Sequence, residues 1–160
     1  MQGHVHGRGS PAALPLVPMM VKTVAPSPVL AAGGIADGRG LAAALALGAE
    51  GVLLGTRFMA TPEAPIHANY KQAIVKTDGH DTVLTEIPDL ASQRVRPGAM
   101  SRAQRNKFIE RWSGREWALR QNAGEVGKEV AAARAAGDVE NTSLSFGQDA
   151  GLINSIKPVK

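Results

Sequence analysis

The sequence predicts an α/β fold, and three observations carry that prediction. Val29 to Ala32 and Val52 to Leu54 are short apolar runs without polar alternation, a segment rich in small residues joins them, and glycines follow both, Gly33-Gly34 and Gly55. Runs of this kind read as parallel strands buried on two faces. The segment between them reads as the crossover helix, so the whole stretch from Pro28 to Phe58 is one strand, helix, strand unit.

The elements follow in order. Residues 12–24 predict a helix, with Pro15 and Pro18 confined to its first turns and Leu16, Met19, Met20 and Val24 facing inward. Pro26 and Pro28 lead into the first strand, and Asp37 is a suitable N-cap for a helix over 38–47, with Leu41, Ala44 and Leu45 on its inner face and Gly48 as its stop. After the second strand, residues 63–76 predict a helix. Residues 77–100, with Gly, Asp, Pro and Ser among isolated apolar residues, predict a surface loop. Two helices are expected after it, over 102–121 and 125–136, split at Asn122-Ala-Gly124.

Glycine at 33, 34 and 55 suggests chemistry as well as turning. An anion is held largely by backbone N–H groups, and a Cβ would block its approach or forbid the positive φ that turns amides inward. Thr56 would add a hydroxyl donor. A Gly-Gly turn after one strand is weak evidence, since any tight turn uses it. Two adjacent strand ends, both bearing glycine, resemble the phosphate site that eight-unit strand-helix barrels build after strands seven and eight.

Residues 28–60, with His67-Ala-Asn-Tyr-Lys71 and Asp81-Thr-Val-Leu-Thr-Glu86, resemble the C-terminal half of nitronate monooxygenases, formerly called 2-nitropropane dioxygenases. Ala32-Gly-Gly-Ile-Ala-Asp-Gly-Arg-Gly40 and Leu54-Gly-Thr-Arg-Phe58 carry the likeness nearly word for word, and Phe146-Gly-Gln-Asp-Ala-Gly-Leu-Ile153 resembles a motif that members carry near their end. The resemblance implies an FMN-dependent oxidoreductase that converts alkyl nitronates or nitroalkanes, with dioxygen, to carbonyl compounds and nitrite. It places the FMN phosphate on Gly33, Gly34, Leu54, Gly55 and Thr56. Members also carry a Glu-Ala-Gly-Gly-His motif whose histidine is the base for the proton α to the nitro group; here Gly3-His4 fits its last two residues and Met1-Gln2 stands where Glu-Ala-Gly would be. His4 is therefore the catalytic candidate, a histidine with an ordinary pKa of about 6.5 being suited to such work once positioned.

The implied fold is the C-terminal part of a (β/α)8 TIM barrel with a helical C-terminal extension. A full barrel takes about 250 residues, and this sequence has 160. Residues 1–76 are expected to be the last strand-helix units, with 77–160 as loop and helical extension. Two alternatives stay open: a flavin-dependent enoyl-acyl-carrier-protein reductase of the same superfamily, and a non-catalytic phosphate-binding half-barrel fragment. An open sheet of this size invites pairing, so a homo-oligomer is a possible partner state.

Composition bounds the remaining classes. Apolar residues at 44% with aromatics at only 4% predict a core built on Ala, Val and Leu. Cysteine is absent, which removes disulfide and thiolate chemistry and suits a cytoplasmic setting. No apolar run approaches the ~18 residues of a membrane span. The net charge of +4 concentrates in eight Arg and Lys side chains between Arg94 and Arg120, with Trp112 and Trp117 interleaved. Phe108, Ile109, Trp112 and Leu119 fall at helical spacing, so this reads as a helix with a buried stripe and solvated arginines, not as a nucleic-acid surface. His67 and His80 lack a companion at metal-ligand spacing, and no metal site is expected. Arg39 and Arg57 flank the glycine loops and are candidates to assist a phosphate.

Overall fold

The computed structural model describes His6–Gly7, residues 12–94 and residues 96–159. Helix α1 (Ala13–Val24) leads to β2 (Leu30–Ala32), then α2 (Gly38–Ala46), β3 (Gly51–Leu53), the short α3 (Thr56–Met59) and α4 (Ala68–Lys76). Strands β2 and β3 pair in parallel, Leu30 opposite Gly51 and Ala32 opposite Leu53. The crossover unit expected from the sequence is thus present within a residue or two at each boundary, and the chain has α/β architecture.

Packing on this pair is one-sided. Val17 of α1, Ala31, Ala44 of α2 and Ala49 form a small core with Val21, Ile35, Leu47 and Val52 around it. The opposite face carries Leu30 and Leu53, which are 61% and 65% exposed. Burial on both faces, expected from the unbroken apolar runs, is not observed: successive side chains alternate, and helices cover only one side. The helix faces also differ from expectation. In α1, Val17 points inward while Met19 and Met20 are exposed; in α2, Ala44 is buried while Leu41 and Leu45 are exposed. Small and β-branched residues thus make the close contact, and the longer side chains lie outside it.

The expected loop over 77–100 is instead structured. It holds β4 (Thr82–Thr85) and α5 (Ile87–Ala91) and reaches β5 (Met100–Gln104). Strand β5 sits between β4 and β1 (His6–Gly7), antiparallel to both. Residues 102–104 are therefore strand where helix was expected. The helix expected from there to 121 is two, α6 (Lys107–Trp112) and α7 (Glu116–Gln121), separated at Gly114, whose φ is +75°. Asn106 starts α6 by accepting the Ile109 N–H at 3.1 Å. Helix α8 (Ala123–Ala135) follows.

The stripe predicted for the arginine-rich region is buried: Phe108 at 4%, Ile109 at 1%, Trp112 at 5% and Leu119 at 0% exposure. With Ile87, Leu90, Ala103 and Val126 they form the core of the α5 to α8 layer. Arg111 and Arg115 stack on Trp112 with their guanidinium carbons 5.1 and 5.6 Å from the ring centre, while Trp117 stands exposed.

The C-terminal stretch does not extend away from the first half. Leu144, Phe146, Ala150 and Ile153, on and around a 3-10 helix (Gln148–Leu152), pack against Tyr70, Ala73 and Ile74 of α4 and against Ala36 and Ala60. A third core joins this stretch to Ala36, Ala60 and α4, so the 77–160 part includes residues that complete the packing of the 12–76 part.

Candidate functional site

The glycines leave two neighbouring strands at the same end. Ala32 and Leu53 are paired, so Gly33-Gly34 and Leu54-Gly55 emerge side by side, on strands that parallel pairing holds about 4.8 Å apart. Gly33 and Gly34 have φ of +92° and +75°. Such angles favour glycine strongly, so these two positions are explained by the turn itself.

Gly55 is different. Its φ and ψ are −104° and −74°, in a region open to any residue, and a Cβ built there would meet no atom of the described residues within 4 Å. Among the described residues, neither backbone strain nor a neighbour calls for glycine. A Cβ at Gly34 would likewise project into open space. What both share is room next to the backbone amides that follow a strand end, and at Gly55 these open the short helix α3, where the first N–H groups have no intrahelical acceptor. That room suits an oxyanion, and the group the family resemblance implies has one in its phosphate.

Thr56 is 5% exposed, and its hydroxyl is committed elsewhere. Its Oγ1 accepts the Gly147 N–H at 3.0 Å and donates to Asp149 Oδ1 at 3.3 Å. The expectation that this hydroxyl faces an anion does not hold in this geometry; the Thr56 backbone N–H is the group it offers. Leu54 is half-buried beside it.

The flanking arginines are also committed. Arg39 pairs with Asp37 at 2.6 Å, and Arg57 Nη2 donates to the carbonyl oxygens of Ala60 and Ser155. Asp37 caps α2 as expected, accepting the N–H groups of Arg39 at 3.0 Å and Gly40 at 3.2 Å. The Arg39 hydrogen bond, with the Gly40 N–H next, holds the Asp37 carboxyl below its ordinary range. A cavity of about 430 Å³ lies beside these loops, lined by Ala36, Asp37, Arg57, Phe58, Asn154 and Lys157 among others. A cavity of about 530 Å³ lies elsewhere, between α4, α5, α8 and residues 143–146.

Sequence reasoning missed Asp149. The residue is 7% exposed, and burial raises its pKa against the opposing hydrogen bonds of its own N–H and the Thr56 hydroxyl. The sign of the linkage is direct. A folded-state pKa above the unfolded value makes ionisation a cost to folding, absent at low pH and felt as pH rises past the ordinary value of about 3.9. Asp149→Asn is therefore expected to melt above the wild type at pH 7, and the gain should shrink as pH falls through the raised pKa and vanish below about 3.9. Melting curves across pH 3 to 8 check this; a gain independent of pH would contradict it.

The remaining candidates have structural partners or lie outside view. His67 caps α4, its Nδ1 accepting the Asn69 N–H at 3.1 Å, and His80 is exposed. Among the described residues, no group of three or more His, Asp or Glu side chains is placed to hold a metal, and no helix is long and apolar enough to cross a membrane. His4 lies outside the described residues.

The family model for nitronate monooxygenase matches residues 1–160. The chain belongs to the nitronate monooxygenase family. Its relatives include a probable nitronate monooxygenase of Staphylococcus saprophyticus, 34% identical over 152 residues that cover 72% of this chain and 42% of that protein. The nitronate monooxygenase npaC of Metarhizium robertsii is 46% identical over 89 residues, 53% of this chain and 25% of that protein. Among solved structures, FabK from Thermotoga maritima superposes with a TM-score of 0.81 at 41% identity, covering 99% of this chain and 48% of that one. A nitroalkane oxidase from Streptomyces ansochromogenes gives 0.73 at 29% identity, covering 92% of this chain and 40% of that one. The chain thus spans less than half the length of these family members and neighbours.

Proposed function

We propose that this chain is the C-terminal portion of an FMN-dependent nitronate monooxygenase, and that its own part in the enzyme is to hold the cofactor phosphate. The reaction would be the oxidation of alkyl nitronates or nitroalkanes by dioxygen to carbonyl compounds and nitrite. The observation that carries the cofactor reading is the open space over Gly55, where neither torsion angles nor neighbours among the described residues require glycine. Gly33, Gly34, Gly55 and the Thr56 amide would hold the phosphate, with Leu54 beside it. The exposed face bearing Leu30 and Leu53 supports a closed (β/α)8 barrel, in which that face would be the packed interior.

When bound, FMN supplies the redox chemistry. The residues of this chain position it and move a proton: His4, placed by its match to the family motif, would take the proton from the carbon bearing the nitro group. The likeness to FabK supports a second reading, a flavin-dependent enoyl-acyl-carrier-protein reductase of the same superfamily, which would require a nicotinamide donor.

The experiment that separates these is His4→Ala in FMN-loaded enzyme containing this chain. Turnover of a neutral nitroalkane should fall about 10²-fold, as for loss of a general base, while a preformed nitronate should lose much less and the flavin should stay bound. Equal losses on both substrates would contradict a role for His4 as base. Enoyl-thioester reduction with nicotinamide in place of nitronate oxidation would favour the second reading.

A further inference from the structure

Thr56 is tied to residues more than 90 positions away. Gly147 N–H donates to its Oγ1, which directs the hydroxyl proton to Asp149 Oδ1, and Thr56, Asp149 and Ala150 are all buried. Within the same short helix, Gly55 O accepts the Phe58 and Met59 N–H groups at 3.0 and 3.1 Å. That carbonyl and the Thr56 N–H share one planar peptide unit, so moving Thr56 moves the peptide that joins it to Gly55. The 3-10 helix that carries Asp149 is in turn fixed in the core by Phe146, Ala150 and Ile153.

From this geometry we infer that Asp149 is a positioning residue for the Gly55-Thr56 amides, through which the C-terminal 3-10 helix sets how well the strand ends grip an anion. The inference rests on the reading that these amides take the FMN phosphate. Asp149 touches no anion in it; it acts through the Thr56 hydroxyl. A C-terminal segment far along the chain thereby controls cofactor retention.

Three variants of the full chain test this. Asp149→Asn keeps an oxygen acceptor for the Thr56 hydroxyl, Asp149→Leu removes it at similar volume, and Leu119→Ala loosens the separate core of α5 to α8, which contains neither Thr56 nor Asp149. Two readouts apply: amide hydrogen exchange at Phe58 and Met59 without ligand, and the affinity for inorganic phosphate from amide shifts at Gly33, Gly34 and Gly55. In Asp149→Leu, exchange should quicken and phosphate affinity weaken, each about tenfold, as for loss of roughly one hydrogen bond. Asp149→Asn should stay within about twofold of the wild type on the same scale. Leu119→Ala should lower Tm and leave both readouts unchanged. Unaltered exchange at Phe58 and Met59 in Asp149→Leu would overturn the inference, as would Asp149→Asn behaving like Asp149→Leu. Absence of phosphate shifts in the wild type would overturn the phosphate reading itself, and the inference with it, by a measurement separate from the exchange.

Discussion

Gly151→Ala is expected to destabilise the chain by about 3 kcal/mol, the upper end of what one added methyl does in a packed interior. A Cβ at Gly151 would fall on the carbonyl oxygen of Asp78 and within 2.6 Å of its carbon. The partner position is equally closed, since a Cβ at Gly79 would press on the Gln148 carbonyl oxygen, far inside 3.0 Å. Both obstacles are backbone, which cannot swing aside as a long side chain does. Relief would require the turn after α4 to part from the 3-10 helix, drawing Ala150 and Ile153 out of the core they share with Tyr70 and Ile74. For a chain of this size Tm should fall by about 6–12 °C. Gly124→Ala, in the first turn of α8 with only a distant contact at 3.6 Å, is the control and should be neutral or stabilising by up to about 1 kcal/mol. A Gly151→Ala melting point within about 2 °C of the wild type would contradict the close approach.

The second large effect is expected at Gly55. Replacement by leucine fills the space over the strand ends, and because the backbone angles there suit any residue, the fold should tolerate it. An FMN phosphate would lose two charge-assisted hydrogen bonds, together about 4 kcal/mol or about 10³-fold in affinity. Enzyme containing Gly55→Leu should purify without its yellow colour and keep the wild-type Tm within about 1 °C, surface substitutions of this kind costing little. Colour loss together with unfolding would mark Gly55 as a structural glycine.

The unit from β2 to β3 was legible because everything that defines it is local. Asp37 caps a helix that begins at the next residue, Gly48 ends it, and the apolar runs stand between glycines and prolines. The strand at 100–104 was not legible, because Arg102 lies in it at 5% exposure, its Nη1 donating to Thr82 Oγ1 at 3.1 Å. A buried arginine breaks the apolar signature of a strand, and its partner lies on β4, where Thr82 to Thr85 is too short to show a period. The inner face of α1 differs from expectation for another reason: Leu14, Leu16, Val17, Met19, Met20 and Val21 surround that helix with apolar residues, so periodicity does not choose the side.

The glycine loops were visible in the sequence, whereas the commitment of the Thr56 hydroxyl was not. Its partners at 147 and 149 come from the other end of the chain, and nothing near Thr56 announces them. The segment from Phe146 to Ile153 resembled a family motif, but a motif does not say what it touches. The same holds for Arg57, which reads as an anion ligand beside a glycine loop and in the structure binds the carbonyls of Ala60 and Ser155.

The central claim is that the ends of β2 and β3 bind the phosphate of FMN. The most direct measurement follows the backbone amide resonances of the chain during parallel titrations with FMN and with riboflavin, which lacks the phosphate. FMN should shift the amides of Gly33, Gly34, Gly55 and Thr56 together, riboflavin should leave all four in place, and Gly55→Leu should abolish the response to FMN. Equal shifts from both flavins, or FMN shifts confined to residues away from these strand ends, would contradict the claim.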